Sequence, residues 1–267
     1  MNPDRDNFNC WHCGWGAATL APLMLPNSPE LREYLEGRPA KPGQSTKDDK
    51  PRCTSLPTGF VPLDRSAPTT ASPYLTYLAN RGVSGRTVEL YRMGYVDSGP
   101  LRGRVVVPSF DRFGMVNFWS ARSIHPVEKV HSYRLPLATK DVISNEHLVD
   151  WTAPVYLVEG IFDEVAIGPQ AIALYGKFMQ PSLAVRLIEK RPPMTYVCLD
   201  DDAEGEAWDL MGELMRYDIP CAMLFLEGKD PSEVGAEAVR LATTDTVRVN
   251  DPVAMLRARI HQMSGTV

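Results

Sequence analysis

The sequence has no apolar run long enough for a membrane-spanning helix, which needs about 20 mainly apolar residues. Its first six residues lack the basic-then-apolar layout of a signal peptide. Cysteine is scarce, with five in 267 residues, and so few thiols are typical of a reducing compartment. No Walker A pattern is present, so no P-loop helicase is encoded. These absences predict a soluble, cytoplasmic protein without a membrane partner.

Extremes of composition are also missing. Hydrophobic residues make up 44% and charged residues 23%, close to globular averages, which excludes a disordered chain, a collagen and a coiled coil. At roughly 150 residues per domain, the length predicts one to two domains. The formal net charge of -5 argues, at first sight, against a nucleic-acid partner.

The charge is unevenly distributed along the chain. Residues 77–140 hold ten Lys/Arg and four Asp/Glu, a net of 10 - 4 = +6, whereas residues 159–251 hold eight and eighteen, a net of 8 - 18 = -10. This division favours two roles, one segment holding a polyanion and the other a cation.

Proline is also unevenly distributed, since eleven of the 23 lie at or before Pro73. Residues 36–72 have few large apolar side chains and are predicted to be a linker, with folded structure resuming near Pro73.

Two segments with different secondary structure are predicted after the linker. Short helices are predicted at 74–80 and 84–91, then a β-hairpin with strands at 104–108 and 115–121. After Pro154, four short apolar strands alternate with amphipathic helices, which indicates a parallel sheet covered on both faces. The strands are predicted at 155–158, 171–174, 196–199 and 221–226, and a last helix at 252–263.

Acidic residues follow three of these four strands. Glu159 ends the first, Asp200 and Asp202 end the third, and Asp230 follows the fourth. Ligands collect at the carboxyl ends of parallel strands, and crowded carboxylates repel one another unless a cation neutralises them. Oxygen ligands without nearby His or Cys favour Mg²⁺ or Mn²⁺ over zinc. The sequence therefore predicts a divalent-cation site at this edge.

The motifs VEGIFDEVAI (158–167), LDDDAEG (199–205) and EGKDPSE (227–233) resemble the TOPRIM fold, which DnaG-type primases share with topoisomerases and some nucleases. The resemblance implies that Glu159, Asp200 and Asp202 are catalytic, and that they bind Mg²⁺ or Mn²⁺ together with Asp163 and Asp230. The last carboxylate of the primase Asp-Pro-Asp motif is replaced by serine here.

The basic segment distinguishes primases from the other proteins that share the TOPRIM fold. Residues 77–95 and 103–122 resemble the helical element and the strand pair that open the primase RNA-polymerase domain. The overall expectation is an α/β chain in which a TOPRIM parallel-sheet domain (154–244) follows a smaller α+β basic subdomain (73–153), with a C-terminal helix at 245–267. Guanidinium groups pair bidentately with phosphate. The residues expected to bind nucleic-acid or nucleotide phosphate are Arg104, Arg122, Arg134, Lys140 and Lys177.

Two cysteines lie close together near the start of the sequence. Phe8 and the C-x-x-C of Cys10 and Cys13 resemble the second half of the zinc ribbon of primases, so residues 1–35 are expected to be a partial ribbon. Structural zinc takes four ligands, and the first half of the ribbon would have to precede Met1. Zinc binding is therefore left open, with Cys53 as a candidate third ligand. A truncated or degenerate ribbon is favoured over a complete site, and completion by a partner chain is the other alternative.

The resemblance implies a DNA primase: an Mg²⁺-dependent nucleotidyltransferase that makes short RNA primers on single-stranded DNA from ribonucleoside triphosphates. The primer 3′-hydroxyl would attack the α-phosphorus in line. Two alternatives stay open, a TOPRIM nuclease and a non-catalytic RecR-like DNA-binding recombination protein. The segment that follows the last TOPRIM helix is too short for the usual helicase-binding domain, so a separate helicase in a primosome is expected. A compact form suits a phage-encoded primase acting in the host cytoplasm.

Overall fold

A computed structural model describes residues 55–125, 141–224, 226 and 231–243, and the backbone of three further short strands. The chain divides into two compact units, Met1–Asp49 and Lys50–Val267. In the first unit, β1 (Phe8–Asn9) and β2 (Gly16–Ala17) pair in antiparallel orientation. The helix predicted at 252–263 lies outside the described residues.

The second unit begins with an antiparallel sheet of five strands in sequence order, β3-β4-β5-β6-β7. Its helices are α1 (Ser72–Asn80) and α2 (Gly85–Leu90), and the Ser84 hydroxyl caps α2 by accepting from the Thr87 amide. The strands are β3 (Phe60–Pro62), β4 (Gly94–Val96), β5 (Arg104–Phe110), β6 (Val116–Ser123) and β7 (Ser132–Arg134).

The start of this sheet differs from the sequence prediction. β3 lies inside the segment predicted to be linker, and Gly94, which follows the helix predicted at 84–91, begins a strand that pairs with β3. A Cβ atom at Gly94 would collide with the Phe60 ring and the Val61 carbonyl. The close approach of β3 therefore depends on a glycine far downstream in the chain, which the local composition of β3 does not reveal.

The second sheet is parallel, with strand order β11-β10-β8-β9. Its strands are β8 (Val155–Val158), β9 (Ala171–Ala173), β10 (Thr195–Cys198) and β11 (Cys221–Met223). The helices are α3 (Ile161–Ile167), α4 (Pro181–Lys190), α5 (Glu204–Arg216) and α6 (Pro231–Ala242), the last kinked at Gly235. Within the described residues, none of these helices has both the length and the apolar character of a membrane span.

Alternation along the parallel strands divides the core between the two faces of the sheet. Leu157 and Val197 face a cluster formed with α4 and α5. Val158 and Cys198 face the opposite cluster, which contains residues of α3 and also Tyr91 of the antiparallel part. One continuous core thus joins the basic subdomain to the parallel-sheet domain, so α3, at their junction, contacts both.

A buried ion pair connects the junction to α4. The Arg186 Nε and Glu146 Oε1 atoms lie 2.6 Å apart, with side chains 15% and 8% exposed. Arg186→Met leaves the Glu146 carboxylate buried without its partner, so we expect a loss of about 3 kcal/mol in the free energy of unfolding, measured in urea. The matched control is Arg191→Met, whose pair with the 93%-exposed Asp218 spans 3.5 Å. That change should lower the free energy of unfolding by less than about 1 kcal/mol. Equal losses in the two variants would refute the stabilising role of the Arg186–Glu146 pair.

Candidate active site

The acidic edge forms where β8 and β10 end side by side. Val158 and Cys198 are register partners in parallel strands. Glu159 follows Val158 directly and Asp200 follows Cys198 by two residues, and both side chains are half-buried. Adjacent strands lie about 4.8 Å apart, so the two carboxylates leave the sheet at the same edge. A short 3₁₀ turn, Asp201–Ala203, then carries Asp202 into solvent.

Lys177 reaches this edge from the other side of β8. It lies on the loop after β9, where the Gly176 amide donates to the Glu159 carbonyl at 3.3 Å. The Lys177 Nζ donates to Asp202 Oδ1 at 2.9 Å. That bond, with attraction from Asp202, Glu159 and Glu206, raises the pKa of the Lys177 amine. The loops after β9 and β10 are thus joined by an ion pair in front of the end of β8.

Asp163 lies in the first turn of α3. Its Oδ2 accepts from the Gly160 amide at 3.2 Å, so it caps the helix that begins after Glu159. Burial, together with the charges of Asp163 and Asp200, raises the pKa of the Cys198 thiol to about 12. Both carboxylates therefore act on one buried atom at the end of β10, which places Asp163 beside the acidic edge.

The donor chemistry of the edge suits a hard cation. Glu159, Asp200 and Asp202 offer carboxylate oxygens, which Mg²⁺ and Mn²⁺ prefer. Among the residues that the structure describes, no three His, Cys, Asp or Glu side chains already form a cluster for a metal ion. Asp202 turns towards Lys177, and Asp230 lies outside those residues. The residue types fit the cation, and the ligand shell remains a prediction.

Two arginines of the basic subdomain meet at Phe162, the residue before Asp163. The Cζ atoms of Arg81 and Arg122 lie 5.0 Å and 5.6 Å from the centroid of the Phe162 ring. Both side chains are half-buried. Cation–π contact orients each guanidinium while leaving its N–H groups available to phosphate. Sequence reasoning missed Arg81, which locally resembles the polar end of a helix, because its contact partner lies far along the chain in α3.

Arg104 occupies a different face of the antiparallel sheet. It pairs with Ser123, whereas Arg122 pairs with Val105. Directly opposed residues share a face and successive residues alternate, so Arg104 and Arg122 project from opposite faces. Arg104 is also buried, at 8% exposure. The sequence grouped these arginines as one phosphate-binding set, and the register separates them.

Several predicted site residues cannot be placed. Arg134 lies in β7, but only its backbone is described. The remaining predicted residues that lie outside the described ones are Asp230, Lys140, Cys10, Cys13 and Cys53.

A fully buried carboxylate, Glu164, lies next to Asp163. Its Oε1 accepts from the Asn145 Nδ2 at 2.7 Å and its Oε2 from the Ala173 amide at 2.9 Å. Burial raises its pKa to about 7, opposed by hydrogen bonds from Ser144, Asn145 and Ala173. The sequence analysis gave Glu164 no role. Its spacing of three residues from the buried Ile161 places it on the apolar stripe of α3, which is the signal that could have revealed it.

Solved structures share this fold. The DnaG primase catalytic domain bound to ssDNA is 17% identical, with a TM-score of 0.61 over 73% of this chain and 77% of that one. The E. coli primase catalytic core is 17% identical, with a TM-score of 0.60 and coverages of 73% and 79%. The Aquifex aeolicus primase, with its zinc-binding and RNA polymerase domains, is 18% identical, with a TM-score of 0.59 and coverages of 93% and 75%.

No protein-family model and no curated protein matches the sequence. The fold is therefore established by structure alone: it is the fold of DnaG primase catalytic cores. The predicted α/β class is confirmed: among the described strands, a parallel sheet of four follows an antiparallel sheet of five.

Proposed function

We propose that this protein is a DNA primase, which synthesises short RNA primers on single-stranded DNA by template-directed nucleotidyl transfer. The observation that carries the proposal is the meeting of Arg81 and Arg122 at Phe162, one residue from Asp163. Cations that suit phosphate are thereby brought to carboxylates that suit a metal, as nucleotidyl transfer requires. The primase-core fold supports the same assignment, and one such neighbour was solved with ssDNA and another with a double-stranded DNA carrying a 6-nucleotide overhang.

Each group has a proposed task. The residues that would hold Mg²⁺ or Mn²⁺ are Glu159, Asp163, Asp200, Asp202 and Asp230. Such ions, when bound, neutralise a triphosphate and lower the pKa of a primer 3′-hydroxyl. Arg81 and Arg122 would hold phosphates of the template or the incoming nucleotide, and Lys177 would orient Asp202 and face the phosphate chain. The N-terminal cysteines would supply a zinc element, and a separate helicase would be a partner.

The direct test is incorporation of labelled ribonucleotides on single-stranded DNA with Mg²⁺. Products of a few nucleotides that require template and all templated nucleotides would support priming. Degradation of the template would instead support the nuclease alternative. DNA binding with neither reaction would favour the recombination-protein alternative and refute the proposal.

Lys177 gives a prediction that separates activity from stability. Its pair with Asp202 is exposed, with side chains 26% and 82% accessible, so it contributes little to folding. We expect Lys177→Ala to leave the melting temperature unchanged within about 1 °C and to lower kcat/KM for nucleotides by about tenfold. Lys177→Arg should recover part of this loss. The control is Lys190→Ala at the end of α4; a fall in melting temperature without a kinetic effect would contradict the assignment.

A further inference from the structure

The geometry points to Glu164 as a positioning residue for the acidic edge: its carboxylate fixes the strand that carries the Lys177 loop to the segment 143–145. This inference rests on the proposed function for its kinetic readout only. Glu164 itself does not belong to the proposed metal or phosphate ligands. Its two oxygens receive hydrogen bonds from two different parts of the chain, Asn145 and Ala173.

The hydrogen bond from the Ala173 amide secures an edge strand. Among the described strands, β9 pairs only with β8, and the Leu174 amide donates to the Val158 carbonyl at 2.8 Å. The Ala173 amide therefore points away from the sheet, where no strand of the described part of the chain pairs with it. Glu164 accepts that amide, so α3 takes the place of a neighbouring strand. Lys177, four residues after Ala173 on the loop that follows β9, donates to Asp202.

The hydrogen bond from the Asn145 side chain reaches the basic subdomain. Asn145 has a left-handed backbone, with φ of 42°, and its backbone amide donates to the Ser109 hydroxyl of β5 at 3.1 Å. Ser109 in turn donates to Asn117 of β6 at 2.7 Å. Beside it, the hydroxyl groups of Ser144 and Tyr175 lie 2.8 Å apart. The β5–β6 hairpin, the β9 loop and α3 are therefore joined through the Glu164 carboxylate.

Substitutions of different shape and charge distinguish positioning from catalysis. Glu164→Leu removes both acceptors. In Glu164→Gln the remaining oxygen can accept from Ala173, and rotation of the Asn145 amide lets it accept from the new NH₂ group. We expect Glu164→Leu to lower kcat for primer synthesis by about thirtyfold with KM changed less than about threefold, and Glu164→Gln to stay within about threefold of the parent in kcat. If Gln is as inactive as Leu, Glu164 acts chemically and the positioning role is wrong.

The control is Glu146→Gln, which changes another buried carboxylate directly after the segment 143–145, one whose ion pair leads to α4 and away from the edge. It should lower stability without lowering kcat of the folded enzyme. Should Glu164→Leu not fold, Asn145→Ala removes one donor and is expected to lower kcat by about fivefold. Loss of stability with unchanged kcat in either variant would reduce Glu164 to a structural group and overturn the inference.

Amide hydrogen exchange supplies a readout independent of priming. Protection of residues 173–177 should fall by at least about tenfold in Glu164→Leu and remain in Glu164→Gln and Glu146→Gln. If the parent protein makes no primers, the proposed function fails, and this exchange experiment still decides whether Glu164 holds the loop. Unchanged protection in Glu164→Leu would refute the positioning role even in an active primase.

Discussion

Asp200→Asn is expected to lower primer synthesis by at least about a thousandfold, equivalent to about 4 kcal/mol of transition-state stabilisation. The amide keeps the size of the side chain and removes the charge of a carboxylate that follows β10 beside Glu159. A neutral oxygen is a poor ligand for the divalent cation that the proposed reaction uses. Primer yield with labelled ribonucleotides measures the effect.

The fold should survive this substitution. Asp200 and Glu159 lie at adjacent strand ends, and without a bound cation their like charges repel. Removing one of them should leave the metal-free melting temperature unchanged or slightly raised. Asp209→Asn, an exposed change on α5, is the control and should keep full activity. Retained synthesis in Asp200→Asn would refute its assignment as a metal ligand.

Arg122→Ala is expected to have the second largest effect, a loss of about 30-fold or more in primer synthesis. Its guanidinium lies 5.6 Å from the centroid of the Phe162 ring, and Phe162 directly precedes Asp163, one of the proposed metal ligands, so its position suits a phosphate held near that site. The variant should bind single-stranded DNA or nucleotide more weakly, and the slope of log affinity against log salt should become shallower by about one phosphate contact. Fluorescence anisotropy at several salt concentrations measures both.

The lysine variant sharpens this test. Arg122→Lys keeps the charge but loses bidentate pairing and planar stacking, so it should recover the salt slope and only part of the activity. Arg191→Ala, an exposed arginine that precedes β10 at the opposite edge of the sheet, is the control. Equal losses in the Arg122→Ala and Arg191→Ala variants would mean that net charge alone, rather than position, matters.

Much of the parallel-sheet domain can be predicted from sequence because its signals are local. Each buried strand is a short apolar run, and prolines mark where helices begin, as Pro181 and Pro231 do. The strand-end rule then places Glu159 and Asp200 at one edge without any knowledge of side-chain contacts. The same rules failed at β3, since its pairing depends on the missing side chain at Gly94 rather than on its own composition.

The sequence by itself determined the α/β class, the order of elements, the division of charge and the acidic strand ends, because periodicity and strand-end position are properties of short segments. Only the tertiary structure decided that Arg81 joins Arg122 at Phe162 and that Arg104 faces the other way. It also decided that Glu164 is a buried junction. These facts depend on strand register and on contacts between residues far apart in the chain, which no local pattern encodes.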